Sequence, residues 1–388
     1  MSLASIPKIC MLMWGIWPPE FIKNPSLRTW YLIYKYILVV YVSILAGSLI
    51  SEWIRLIIFH KSAERISSSG SLVVTIILLS IKMLIYQKNK IPQRFAKFVE
   101  VETDIEDSND PEVQKIYYTV LRYDRYLNIG VIIATTLAVS SFAIIDIIKL
   151  WEIGVEAWNF DEASFMYELY FPFDKKKYMI VVVAFNLYTI YMGGVLNVVC
   201  LLLIYTLIVF SALQLRILRV RLRKFHTFVG KYGKDISETL YYFIVKHQKS
   251  IEFVETLNQS VKYVMLIEFL LNSANVASVL FYIITVKSTD FFYAICLLAL
   301  QLLQVFVIAW ISNEVKLESL KVADAVYDSP WYEQDEKIKK LLHIILLRGQ
   351  KPLTFTIGPF KPMVAETAIM TIQAAYSYAT LMMKTYNK

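Results

Sequence analysis

The sequence predicts an all-α membrane protein: seven transmembrane helices, N-terminus cytoplasmic and C-terminus extracellular, with cytoplasmic helical extensions forming an anchor interface. Three observations predict it. Apolar residues are 57% of the 388, against about 45–50% in soluble domains, and mean hydropathy is +0.51. Seven stretches, 32–58, 67–87, 127–150, 178–210, 263–287, 290–312 and 364–386, reach the roughly 20 residues a bilayer crossing needs. Finally, 28 of the 40 Lys and Arg residues lie in the N-terminal segment and after the second, fourth and sixth stretches, which the positive-inside rule makes cytoplasmic. Each span is helical because lipid offers the backbone of a lone segment no hydrogen-bond partner.

The opening MSLASIPKICMLMWGIWPPEF lacks the long apolar core and small-residue cleavage site of a signal peptide, and Pro7, Pro18 and Pro19 interrupt it, so it is expected to be retained. Cys10, Cys200 and Cys296 are an odd number without metal or redox spacing, which implies no disulfide framework. Asp124, Arg125 and Tyr126 spell the tripeptide of G-protein-coupled receptors, but that family keeps its N-terminus outside. Here the tripeptide precedes the third span, at its cytoplasmic end, and is read as coincidence.

Between spans, Ser211 to Lys262 and the segment ISNEVKLESLKVADAVYDSPWYEQDEKIKKLLHIILLRGQKP carry apolar residues at helical spacing. Both read as helices standing out of the membrane, packed within the chain or against another subunit. The dense basic run Arg216 to Lys224 fits the cytoplasmic side. Lys82 and Glu268 fall toward cytoplasmic span ends, where snorkelling accounts for them. Asn197, Asn272, Asn275, Gln301 and Gln304 can bond across helices. Gly193 and Gly194 permit close backbone approach. Asn258-Gln259-Ser260 matches the glycosylation pattern on what is expected to be the cytoplasmic side.

The last span, MVAETAIMTIQAAYSYATLMMKTYNK, is unusually polar. Thr367, Thr371, Ala374, Tyr378, Leu381 and Thr385 share one stripe at helical spacing, flanked by Glu366, Gln373, Ser377 and Lys384, while Ala365, Ile369, Ile372, Tyr376, Ala379 and Met383 form an apolar stripe. Polar groups in a bilayer face a bundle interior or a water-filled path. One helix cannot surround a pore, so a pore requires several copies, and Leu381 is then the large apolar side chain positioned to close it by dewetting.

LLRGQKPLTFTIGPFKPM followed by AAYSYATLM, the upstream SNEVKLESLKVADAVYDSPWYE and the N-terminal WGIWPPEF resemble the insect odorant receptor family in order and spacing, and the length suits a ligand-tuning subunit rather than the longer co-receptor. The resemblance implies a ligand-gated, non-selective cation channel: a tetramer of tuning subunits and odorant receptor co-receptor, gated by a small volatile odorant, in the plasma membrane of olfactory sensory neuron dendrites. It implies a cytoplasmic segment over 1–31, six transmembrane helices with the ligand-binding bundle over 32–312, cytoplasmic extensions over 211–262, an anchor helix and link over 313–362, and a pore-lining helix over 363–388. Counted from the SY pair, Leu381 matches the hydrophobic gate, with Ala374, Tyr378, Lys384 and Thr385 along the pore. Lys384 stands where the co-receptor has an amide. Four such lysines would repel permeant cations, which favours a mixed assembly.

The resemblance also implies an apolar, aromatic odorant pocket in the outer half of the bundle. By depth its candidates are Val74 and Leu78; Leu137, Ser141 and Ile144; Phe185, Tyr188, Thr189 and Met192; Phe281 and Tyr282; and Phe292 and Cys296. The fifth and sixth helices precede the final one and are expected to carry ligand binding to the pore. His60, His226, His247 and His343 are scattered, and no phosphate-cradling glycine loop or nucleophile elbow is present, so neither an enzyme nor a cofactor is expected. The charge of +8 is accounted for by the cytoplasmic connections rather than by a nucleic-acid partner, and the expected surroundings are membrane lipid. A gustatory receptor subunit is the alternative within this class. A transporter, which would show internal repeats or paired helix interruptions, ranks below it.

Overall fold

The computed structural model describes residues 2–59, 63–106, 110–153, 169–285 and 291–386. Ten α-helices order these residues: α1 Ser5–Met13, α2 Pro25–Ile58, α3 Ala63–Lys88, α4 Ile91–Glu106, α5 Pro111–Ile153, α6 Met179–Arg223, α7 Ile236–Thr285, α8 Phe291–Tyr327, α9 Glu336–Gly349 and α10 Ala365–Tyr386. Seven of them, α2, α3, α5, α6, α7, α8 and α10, coincide with the expected spans, and several run well beyond the apolar windows. Pro25–Ile58, Met179–Arg223 and Ile295–Tyr327 are long and apolar enough to cross a membrane on length and composition alone.

Local chemistry sets the boundaries. Asn24 Oδ1 caps α2 by accepting from Ser26 N at 3.0 Å, with Pro25 in the first turn. Asp110 Oδ1 accepts from Glu112 N at 3.1 Å at the start of α5. A reciprocal cap opens α7: Asp235 Oδ1 accepts from Glu238 N at 2.7 Å, and Glu238 Oε2 accepts from Lys234 N at 2.8 Å. The α1 N-terminus is tied to α4 instead. Glu102, 1% exposed, accepts from Leu3 N, from Ala4 N at 3.2 Å and from the Tyr117 hydroxyl at 2.8 Å. Burial nonetheless raises its carboxyl above the usual range.

Helix α6 is the axis of the fold. From Val198 to Leu213 every side chain is buried, against α5, α7 and α8, as expected of a helix apolar on all sides. Polar ties hold its neighbours in register. Asp124 Oδ2 accepts from Asn128 Nδ2 at 2.8 Å, and Oδ1 faces Thr206 Oγ1 at 3.5 Å, so the receptor-like tripeptide has a packing role between α5 and α6. Below the membrane region, Glu318 of α8, 1% exposed, receives Arg216 and Arg219 of α6, each at 3.2 Å, and Lys321 at 3.1 Å. The basic run therefore also joins two helices.

Lys82 and Glu268 do not snorkel. They form a direct ion pair between α3 and α7, with side chains 3% and 13% exposed, and Lys82 Nζ also donates to Asn197 Oδ1 on α6 at 3.3 Å. A charge this buried is tolerated because its partner comes from the facing helix. A two-residue hairpin, β1 Thr356–Ile357 with β2 Lys361–Pro362, links α9 to α10. It is fastened to α7 through Asn258 Oδ1, which accepts from Thr356 N at 2.9 Å, and through Gly358 N, which donates to Lys262 O at 2.9 Å. The glycosylation-like Asn258 thus holds the hairpin.

Replacing Lys82 with Met leaves Glu268 buried and unpaired, at a cost of about 3–5 kcal/mol, whereas Lys82→Met with Glu268→Leu recovers most of it. A double-mutant cycle on thermal unfolding of the purified protein measures this; additive losses would deny the pair. A second prediction concerns His247, 5% exposed on α7. Burial, with Arg348 of α9 nearby, lowers its pKa from 6.5 to about 4. A depressed base stabilises the fold above its unfolded pKa, and that contribution is lost as pH falls from 6.5 toward 4. Moving from pH 7.5 to 5.5 should cost on the order of 1 kcal/mol. His247→Gln should remove this part of the acid sensitivity in parallel melts.

Candidate functional site

Two features stand out where the helices meet. The first is an aromatic cluster. Leu45 and Leu49 of α2 pack with Val73 and Ile76 of α3 and with Leu169, and Tyr41, Phe171 and Phe185 close over them. Tyr41 sits edge-on to Tyr188 at 5.4 Å and to Phe185 at 6.3 Å, and Phe171 meets Phe185 at 5.8 Å. The Tyr41 and Thr189 hydroxyls are 3.1 Å apart. Such a cluster offers edges and faces to an apolar molecule and few polar atoms to orient it. The connection before α6 is strapped across the top: Tyr170 exchanges backbone and side-chain bonds with Ser48, and Lys175 Nζ donates to Glu52 Oε1 at 3.1 Å.

The structure brings Phe185, Tyr188 and Thr189 together here. Met192, two turns along α6 from Phe185, packs instead against the main core. Ser141 is buried and donates to Ala138 O at 2.9 Å, while Leu137 and Ile144 of α5 are exposed. Cys296 is a half-buried free thiol on α8. The side-chain surroundings of Val74, Leu78, Phe281, Tyr282 and Phe292 lie outside the described residues. Tyr41 and Phe171 escaped the sequence reading, which left the first helix out of the pocket; the one signal was the aromatic YFPF before α6. Gly194 lets α5 and α6 close up, since a Cβ there would stand 2.8 Å from Val139 Cγ2; Gly193 meets nothing within 4 Å.

The second feature is α10. Its inner side, Thr367, Ala368, Thr371 and Ala375, is buried, and Ala375 packs with Val276 and Ala277 of α7 and near Leu298 and Leu302 of α8. Thr367 and Thr371 therefore leave the expected wet stripe: their hydroxyls donate to Pro362 O and Thr367 O, each at 2.8 Å. Glu366, Gln373, Ala374, Ser377, Leu381 and Lys384 are exposed along one polar strip, with Leu381 61% exposed. Ala365, Ile369 and Tyr376 make an exposed apolar flank. The side chains of Tyr378 and Thr385 lie outside the described residues.

Away from the aromatic cluster, α8, the turn after it and α9 leave Tyr327, Trp331, Tyr332, Ile344 and Leu347 exposed, and Tyr327, Trp331 and Ile344 line a groove of about 580 Å³. Among the described residues no group of three His, Cys, Asp or Glu is placed to hold a metal.

The profile of the 7tm Odorant receptor family matches residues 63–376, most of the chain and all but the first of the seven long helices. The chain belongs to the 7tm odorant receptor family. Odorant receptor 10 of Aedes albopictus is 32% identical over 180 residues, 46% of this chain and 48% of that one. Odorant receptor Or2 of Anopheles gambiae is 31% identical over 159 residues, 41% of each chain. The alignments to these relatives span about half their length or less. The solved structure of the insect olfactory receptor OR5 from Machilis hrabei in complex with eugenol superposes with a TM-score of 0.81 over 98% of this chain and 97% of that one, at 14% identity. That likeness shows the fold, an all-α membrane protein, and the family match makes it one of the odorant receptors.

If the Tyr41–Thr189 contact joins α2 to α6, Tyr41→Phe and Thr189→Val each lower stability by about 1 kcal/mol and the double variant by little more. Tyr41→Ala, which also empties ring contacts, costs about 3 kcal/mol. Melting of the receptor variants checks this; no loss in Tyr41→Phe would show that the hydroxyls do not bond.

Proposed function

We propose that this receptor is an odorant-tuning subunit of a ligand-gated, non-selective cation channel, assembled as a tetramer with the odorant receptor co-receptor in the plasma membrane of olfactory sensory neuron dendrites. The observation that carries the reading is the three-way division of α10: one side packed on its own chain, one polar strip, one apolar flank. A helix so divided is suited to a ring, with the strip toward a shared aqueous path and the flank toward a neighbour or lipid. In this reading Ala374, Tyr378, Leu381, Lys384 and Thr385 lie along the path, Leu381 forms the constriction, and Lys384 disfavours a ring of four identical chains.

The N-terminus is cytoplasmic and the C-terminus extracellular, so 1–31, 211–262 and 313–362 lie inside the cell. The exposed aromatic patch around Trp331 and Tyr332 then serves as the anchor between subunits, since apolar surface of that kind on an aqueous face marks an interaction site. A small volatile binds in the outer bundle at the cluster of Phe185, Tyr188 and Thr189, extended by Tyr41 and Phe171, with Met192, Ser141 and Cys296 deeper. Val74, Leu78, Leu137, Ile144, Phe281, Tyr282 and Phe292 remain candidates for the rest of the lining. Aromatic faces select by shape, and the Tyr41 and Thr189 hydroxyls orient a polar atom.

Whole-cell current in cells expressing this chain, the co-receptor or both, under a panel of volatiles, tests the proposal. A rapid cation current evoked only in the pair is expected; silence of surface-expressed pairs across the panel would overturn it. With a responding pair, Leu381→Ala should raise the ligand-independent current, because a smaller side chain lets the constriction stay wet. Unchanged basal current would remove Leu381 from the gate.

A further inference from the structure

A groove of about 540 Å³ opens between the N-terminal segment, α2, α3 and the start of α4. We propose that it binds one anionic phospholipid, with phosphatidylserine the best fit. The groove is amphipathic along its length. Leu38 and Val42 of α2 face Leu79 and Met83 of α3, and at the other end lie Lys35 and Gln93. Lys35 to Ser43 spans about 12 Å of helix, so an acyl chain can lie along the apolar part with its head at the polar end. The floor is built in: Trp14 and Ile16 are buried, and Gly15, at φ +65, lies so close to α2 that a Cβ would stand 3.2 Å from Lys35 Cα.

The polar end is basic and no carboxylate lines the groove. Lys35 contributes directly, and Lys88 and Lys90, both exposed, flank the turn into α4. Pro92 and Gln93 line the groove from the first turn of α4, which contains no acidic residue to offset its partial positive charge. Gln93 Oε1 is buried with no hydrogen-bond partner. A phosphate and carboxylate meet the lysines and the helix end, and an ammonium donates to Gln93. Phosphatidylserine carries all three groups, and basic pockets beside the cytoplasmic ends of membrane helices suit anionic lipid heads. A volatile odorant would leave the charged end unused. Placing the lipid in the cytoplasmic leaflet rests on the orientation proposed above; the site itself does not.

The test uses the full-length receptor in nanodiscs, which present both leaflets, doped with phosphatidylserine or phosphatidylcholine bearing a photoreactive acyl chain, with labelled peptides read by mass spectrometry. Phosphatidylserine should label residues 35–43 and 79–87 about five-fold more than phosphatidylcholine, and Lys35→Gln should remove most of that preference. Ser43→Phe, which fills the groove from its rim, should cut labelling by both lipids while the melt stays near wild type; should that variant misfold, Lys35→Gln with Lys88→Gln and Lys90→Gln carries the same test. Equal labelling by the two lipids, labelling spread evenly over all lipid-facing helices, or indifference to the lysine variants would overturn the proposal. The readout needs no ligand and no current, so its failure is separate from failure of the channel reading.

Discussion

A bilayer gives the backbone no partner and drives apolar helices together only weakly, so a bundle in it is held by close packing and by polar groups that find each other. In this receptor both devices centre on α6. Four turns of it, from Val198 to Leu213, are buried on every side, so α5, α7 and α8 are placed by where they meet it. The helix carries no charge there, because a charged side chain buried on every side would have needed a partner of its own. The few polar side chains inside it are hydroxyls with partners, Tyr205 donating to Gln304 O, Thr206 facing Asp124 and Ser211 donating to Leu207 O, while at its margins Asn197 reaches Lys82, and Arg216 and Arg219 meet Glu318.

The carboxylate ties share a design. Each puts one carboxylate on a helix and meets it with at least one donor from another: Glu268 with Lys82, Asp124 with Thr206 as well as its own helix's Asn128, Glu318 with Arg216 and Arg219 as well as its own helix's Lys321. A buried pair adds little net stability over an apolar substitute, but a wrongly registered helix strands a charge at several kcal/mol. Such ties therefore fix register between helices that apolar packing alone would allow to slide. Glu102 does the same for the N-terminal segment by accepting from Leu3, Ala4 and Tyr117, and that segment in turn floors the groove beside α2.

The seven long helices were legible in the sequence because each is an apolar run of membrane length, a property of consecutive residues. Their true ends were less so. Helix α5 begins at Pro111 rather than near 127, since its first four turns are amphipathic and pack on neighbours instead of lipid. Lys82 and Glu268 were misread because residues far apart in sequence give no local sign that they will meet. For α10, helical spacing could not say which arc the rest of the chain would cover: Thr367 and Thr371, expected on the wet stripe, are buried, and the exposed strip runs along Glu366, Gln373 and Lys384. Tyr41 was missed for a similar reason: an aromatic facing inward and one facing lipid look alike in a span.

The placement of α10 also constrains how any signal could reach it. Its packed side meets Val276 and Ala277 of α7 and lies near Leu298 and Leu302 of α8, and its lower end hangs from a hairpin that Asn258 and Lys262 fasten to α7. Helix α7 thus meets α10 at its middle and holds the hairpin that leads into it, while holding α3 through the Glu268–Lys82 pair. The aromatic cluster rests on α2, α3 and α6. In the proposed channel, a molecule that spreads the cluster would act on α10 through α3 and then α7, because the ion pair resists separation of those two helices more than apolar contacts would. Small residues at the α7–α10 contact, Ala277 and Ala375 beside Val276, let the two helices approach closely, so in that reading a displacement of α7 would be passed to the final helix directly.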